Sequence, residues 1–356
     1  MREDQRPVYG TGSLVSAGEA GSAFRRGTEA AAAGRLEVAV EELTRARDLG
    51  HSEAGLELGL ALEDLGRYEE AAEAFREAHA RGDRRAVTHL ACVLADYLDR
   101  ADEAEALYRG AVEEGDAQAV ADLGTLLTEQ GRLEEAIAVL TPLAGAGDAK
   151  AMLRLGYALE RSGRAEDALR TYVAAAEQGS AAAHTYRAGL LADQGHVTDA
   201  ENAYREAIVA GDLDAAAYLG ALLADQGRTA EAEATYREAL ATGNKAVSLN
   251  LGNLLAERPG GEEEAELRYR EAIEWGDFRG HHNLGTLLFD LERLEEAEAE
   301  FLKALALGDH MSHWPYGDLL HELGRLDEAR HHLRLAVEHG KEAAAEQLAE
   351  LEEEMR

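Results

Sequence analysis

A glycine, or a stand-in for one, returns about every sixteen residues from Gly34 to Gly340, and this interval constrains what the chain can fold into. One series runs Gly34, Gly66, Leu98-Asp99, Gly131, Gly163, Gly195, Gly227, Pro259-Gly260, Glu292 and Gly324. A second runs Gly50, Gly82, Gly115, Gly147, Gly179, Gly211, Gly243, Gly276, Gly308 and Gly340. Successive members of the first series are 32 residues apart, or 33 where one residue is inserted in the turn. The unit is clearest in Tyr218–Gly243, YLGALLADQGRTAEAEATYREALATG. Leu219, Leu222 and Leu223 make one apolar helical face, and Gly227 stands where a left-handed residue ends a helix. Ala232, Tyr236, Ala239 and Leu240 mark a second helix that closes at Gly243. A hairpin this short cannot bury both its faces, so each needs a neighbour. A fixed period of this size predicts an all-α solenoid of about ten helix-turn-helix repeats.

The array spans 17–340. Residues 1–16 hold Pro7, Gly10, Gly12 and Ser13 with little to bury, and read as a disordered tail. Residues 341–356 read as a capping helix, with Leu348 and Leu351 on one side and glutamates elsewhere. Gly27, Gly59, Gly124, Gly156, Gly220, Gly252, Gly285 and Gly317 fall mid-way along eight of the ten first helices, with Ala91 and Ala188 in the other two. A mid-helix glycine costs about 1 kcal/mol against alanine, so close approach of the second helix through its column of alanines, Ala39 to Ala329, is the expected offset. Phe75, Tyr108, Tyr172, Tyr204, Tyr236, Tyr269 and Phe301 read as core one turn later.

A formal net charge of −34 argues against nucleic acid and anionic membranes, which need stripes of Lys and Arg. The one cysteine, Cys92, rules out an internal disulfide and fits a reducing compartment. Without a secretory signal or a bilayer-length apolar run, the expected location is cytoplasmic.

Gly156, Leu159, Ala168, Tyr172 and Ala175 occur in the spacing of a tetratricopeptide repeat, which the array resembles throughout. The second turn, as in Ala111–Gly115–Asp116–Ala119–Leu123–Gly124, is instead similar to the junction between Sel1-like repeats. Both resemblances imply a right-handed superhelix whose first helices line a concave groove, protein or peptide binding, and no catalysis or cofactor.

The resemblance also directs attention to groove positions. Lys150 and Arg154 match the basic positions of a carboxylate clamp, with Tyr157 beside them. Thr88, Cys92 and Asp122 replace the rest of that clamp. Asn253 and Asn283 match its asparagine positions, with Asn250 one turn before, while Met311 and Pro315 replace its basic residues. Such amides on stacked helices resemble ladders that hold a peptide backbone, since an amide offers both donor and acceptor. Arg279, His282 and Trp314 complete the candidate partner-binding set. Pro315 predicts a late start for the tenth first helix, with Ser312 as N-cap and Trp314 either exposed or replacing a core leucine.

Eight of the thirteen histidines lie from His281 onward. His310 and His313 are three apart, with His321, His331 and His332 following, but the late helix start spoils a shared helical face, which leaves metal binding the weakest reading of them. The expectation is a non-catalytic adaptor that grips a protein or peptide segment, extended or basic. Self-assembly is the structural alternative, and metal binding by the histidines a weaker one.

Overall fold

The computed structural model describes residues 11–356, with side-chain surroundings from residue 18 onward. Among the described residues the chain forms twenty-one α-helices and two three-residue 3-10 turns, with no strand. It divides into two compact units, Met1–Ser180 and Ala181–Arg356. The first holds repeats one to five, from the helix Thr11–Ala32 to the helix Ala165–Glu177. The second holds repeats six to ten, from Ala181–Asp193 to Leu326–Glu338, and the final helix Ala343–Glu354. The tail expected over residues 1–16 lies outside the described residues up to residue 10, and the first helix is recorded from Thr11 rather than from near Ala17.

Every turn in both series has positive φ, from Gly34 at +69° to Gly340 at +86°. At Gly227 the left-handed residue lets its own N–H reach the Ala224 carbonyl at 2.8 Å, and the next N–H, of Arg228, reach Leu223 at 2.9 Å. These bonds satisfy carbonyls that the helix end leaves unpaired. Asp99 (φ 53°) and Glu292 (φ 59°) adopt the same conformation without being glycine.

The mid-helix glycines face something other than the expected alanines. A Cβ on Gly156 would lie 2.5 Å from the ring of Tyr172, and one on Gly252 would lie 2.6 Å from Tyr269. At Gly27, Gly124 and Gly317 the opposing side chain is Leu43, Leu140 or Leu333. The space left by the absent Cβ is thus filled by the large residue of the second helix. The alanine column, fully buried from Ala39 to Ala329, forms a separate part of the interior. Burying a ring or a leucine against bare backbone offsets the helix-propensity cost, since a fully buried side chain of this size contributes about 1.5–3 kcal/mol.

A second periodic device joins successive repeats. Arg132, at the start of its helix, meets Glu135 of the same helix and Glu105 of the preceding repeat, each at 2.6 Å. In the second unit Arg228 does the same with Glu231 and Glu201, Arg293 with Glu296 and Glu266, and Arg325 with Glu328 and Glu298. In these four the inter-repeat partner lies 27 residues earlier, on the residue after the buried alanine. These pairs tie one hairpin to the next.

Candidate functional site

Repeats eight and nine place two amides side by side. Asn253 sits on the short helix Ser248–Ala256, and Asn283 on Arg279–Asp290. The Asn283 Nδ2 donates to Asn253 Oδ1 at 2.7 Å. Both line a cavity of about 330 Å³ with His282, Thr286, Asp290, Glu257 and part of Tyr269. An amide has two donor hydrogens and one carbonyl, so their mutual bond leaves an NH₂ on one and a carbonyl on the other. Asn250, one turn earlier, hydrogen-bonds the hydroxyl of Tyr236 instead, and burial pushes that phenol up to about 12. It is taken up by packing against the second helix of the preceding repeat, Thr229–Ala241.

His282 is held from behind. Its Nδ1 lies 2.8 Å from the Ser312 Oγ, and that hydroxyl donates to Asp309 Oδ2 at 2.8 Å. Burial holds the imidazole below the usual histidine value, against the pull of Asp309. Serine, histidine and carboxylate are therefore contiguous, but Ser312 is fully buried and already donates its proton to Asp309. The trio fixes the His282 ring rather than activating a nucleophile. Arg279 is paired with Asp277 at 2.7 Å, which occupies one edge of its guanidinium.

The tenth first helix does start late, at His313, preceded by the 3-10 turn His310–Ser312. The cap differs from expectation. Asp309 accepts from the Met311 N–H at 3.0 Å, whereas Ser312 makes no side-chain cap bond and turns back to Asp309. Trp314 is partly buried against the core, donates its indole N–H to Gln347 of the final helix, and carries the Lys341 ammonium 4.3 Å from its ring centre. It joins the last repeat to the helix that follows.

The other candidates lie in the first unit. Lys150 Nζ donates to Gln118 at 2.8 Å, and Arg154 lies within electrostatic reach of Glu129. The Tyr157 hydroxyl accepts from Arg161 at 3.0 Å. Of the nearby carboxylates, Asp148 caps its helix through the Ala151 N–H, and Glu160 accepts from Tyr172.

Sequence reasoning named His310 and His313 but missed the residue that completes their cluster, His339. His310, His313 and His339 each offer a ring nitrogen, all within 4.8 Å of one another. Burial and the neighbouring imidazoles hold His313 below its usual value, and they push the adjoining His332 down to about 4. His339 precedes Gly340, more than twenty residues from its partners, so only the packing of repeat ten reveals it.

The tetratricopeptide repeat profile matches residues 24–85, 93–149, 153–215, 186–247 and 282–350, well over half of the chain. Comparison with curated protein sequences gives no match. Among solved structures, the chain is similar to one described as the APC/C hetero-tetramer Cut9-Hcn1, with a TM-score of 0.50 and 14% identity over 95% of this chain and 92% of that one. It is also similar to the human IFIT1 dimer with m7Gppp-AAAA, with a TM-score of 0.50 and 15% identity over 84% and 81% of the two chains. At these identities the likeness concerns the fold. No helix among the described residues is long and apolar enough to cross a membrane.

Proposed function

The chain belongs to the tetratricopeptide-repeat family, a protein-interaction scaffold, and from that premise we propose that it binds an extended protein segment across the first helices of repeats eight and nine. The observation that carries this reading is the Asn253–Asn283 pair beside its cavity. One donor and one acceptor, fixed relative to each other, match what a peptide group in an extended backbone presents. Neighbouring helices stand about 8–10 Å apart, close to three residues of extended chain at about 3.3 Å each. A net charge of −34 favours segments with basic flanks. Lys150, Arg154 and Tyr157 are a secondary contact on the first unit. The final helix caps the array, with Ala344 and Leu351 buried beneath its glutamates. The Sel1-like character of the junctions and a cytoplasmic setting belong to the same reading.

Selection of a displayed random-peptide library on the immobilised chain tests it. Peptides enriched on the wild type are expected to lose about tenfold in affinity, or 1.4 kcal/mol, on Asn253→Ala with Asn283→Ala, at unchanged helicity. Equal enrichment on the double variant removes the amide pair from the reading.

Self-association has an observation of its own. Val209 is 89% exposed and Leu213 62% exposed, beside a cavity of about 450 Å³ that Ile208 and Ala216 help to line. Light scattering over a concentration series decides this: a mass that rises for the wild type but not for Val209→Glu supports it, and a constant monomer mass excludes it.

A further inference from the structure

We propose that His310, His313 and His339 form a binding site for a divalent transition-metal ion of the zinc, cobalt and nickel class. The site is separate from the amide pair and does not depend on the peptide-binding reading.

Three parts of repeat ten build it. Asp309 caps the 3-10 turn His310–Ser312, and this turn sets the His310 ring beside His313 at the start of the next helix, with centroids 6.0 Å apart. His339 ends the helix Leu326–Glu338, where Gly340 turns the chain, and its ring stacks on His310 at 4.1 Å with 7° between the planes. His313 and His339 lie 6.0 Å apart at 10°. The three donor nitrogens fall within 4.8 Å of one another, with His310 and His339 exposed and His313 half-buried. A tetrahedral zinc ion holds nitrogens at about 2.0–2.1 Å, so small rotations of the two exposed rings close the set around an ion.

His313 is the fixed member. Its Nδ1 lies 2.9 Å from the Nδ1 of His332, a contact that needs one proton between the two nitrogens. With that proton on His313, its Nε2 remains a bare lone pair, and His332 serves as the outer partner that orients a ligating imidazole. His332 is itself steadied by the Tyr316 ring, edge-on at 4.7 Å. The donor set selects the class of ion: imidazole suits zinc, copper, cobalt and nickel, whereas magnesium and calcium take oxygen. Three histidines leave a fourth position for water or a donor from a partner, as in open zinc sites.

The rival explanation is a stack of imidazoles that merely packs the last repeat, and metal titration separates the two. The full chain, freed of any affinity tag and treated with chelator, is titrated with Zn²⁺ by calorimetry and with Co²⁺ by visible absorption. One equivalent of each is expected, with cobalt showing the intense d–d bands of a low-coordinate site. His310→Ala and His339→Ala, both at exposed positions, are expected to weaken zinc binding at least about tenfold while the metal-free melting curve stays in place. His321→Ala, outside the cluster, is the control expected to bind as the wild type does. Binding well below one equivalent by the wild type, or equal binding by the His310 and His339 variants, overturns the proposal.

Discussion

The ring of Phe301 occupies the space where a side chain on Gly285 would begin, its Cδ1 lying 2.7 Å from the position of a Cβ. Helix propensity alone favours alanine there by about 1 kcal/mol. The contact reverses the sign, because the ring is fully buried and has nowhere to retreat. Gly285→Ala is therefore expected to destabilise the protein by about 1–3 kcal/mol, as overpacking does. Gly110 is the counter-case: it is exposed in the helix Ala101–Glu113, with nothing within 4 Å of a Cβ. Gly110→Ala should stabilise by about 0.4–1 kcal/mol. Urea unfolding of both variants checks the pair, and a shared sign would show that propensity, not the ring, governs the column.

Glu292 ends its helix at φ 59° with the same hydrogen bonds that glycine makes elsewhere: its own N–H to Phe289 and the Arg293 N–H to Leu288, both at 2.9 Å. A residue with a Cβ costs about 1–2 kcal/mol in that conformation. Glu292→Gly is expected to recover about 1 kcal/mol of this in thermal or urea unfolding, while Gly324→Ala, at φ 72°, should lose a similar amount. No gain from Glu292→Gly would mean that local contacts already relieve the strain.

How much of this could be read beforehand follows from which forces act locally. The turns were readable because left-handed backbone falls to glycine by sterics alone, and even Asp99 and Glu292 are placed by the interval. The identity of the group facing Gly285 was not, since both Ala297 and Phe301 lie on the following helix and only the packed hairpin shows which one fills the gap. The pairing of Arg228 with Glu201 was present as a spacing of 27 residues, but a spacing that spans a turn and a helix carries no meaning until the hairpins stack. Asn253 and Asn283 were found because each matches an asparagine position of the clamp that the repeat resemblance supplies. His339, which matches nothing in His310 or His313, was not.

Cys92 is half-buried, and its Sγ donates to Asp96 at 3.0 Å. Burial first, and then the bond to that carboxylate, push the thiol up to about 12. The reactive species is the thiolate, so at pH 8 this side chain is expected to alkylate at least about a hundredfold more slowly than an ordinary thiol with a pKa near 8.5. Asp96→Asn removes the negative charge and should speed the reaction. Iodoacetamide labelling followed by intact mass gives both rates. A wild-type rate like that of a free thiol, or no change in the variant, would contradict the assignment.

Glu201 is only 8% exposed, and its carboxylate is held below the usual range first by the Arg228 guanidinium and then, against the cost of burial, by Arg205. A group whose pKa is depressed in the folded state adds stability that is complete above its unfolded value, here near 4.5, and is lost as pH falls through the folded value. The tie between repeats six and seven should therefore be strong at neutral pH and fade in acid. Arg228→Ala is expected to lower the urea midpoint at pH 7, and the gap from wild type should narrow as pH drops below about 4.5, where the unfolded carboxylate protonates, and close below the lower folded value, where it is protonated in both states. Protonation removes the partner that the arginine was holding, so the two proteins converge. Equal gaps at pH 7 and pH 3 would assign the effect of the arginine to packing of its aliphatic stem rather than to the ion pair.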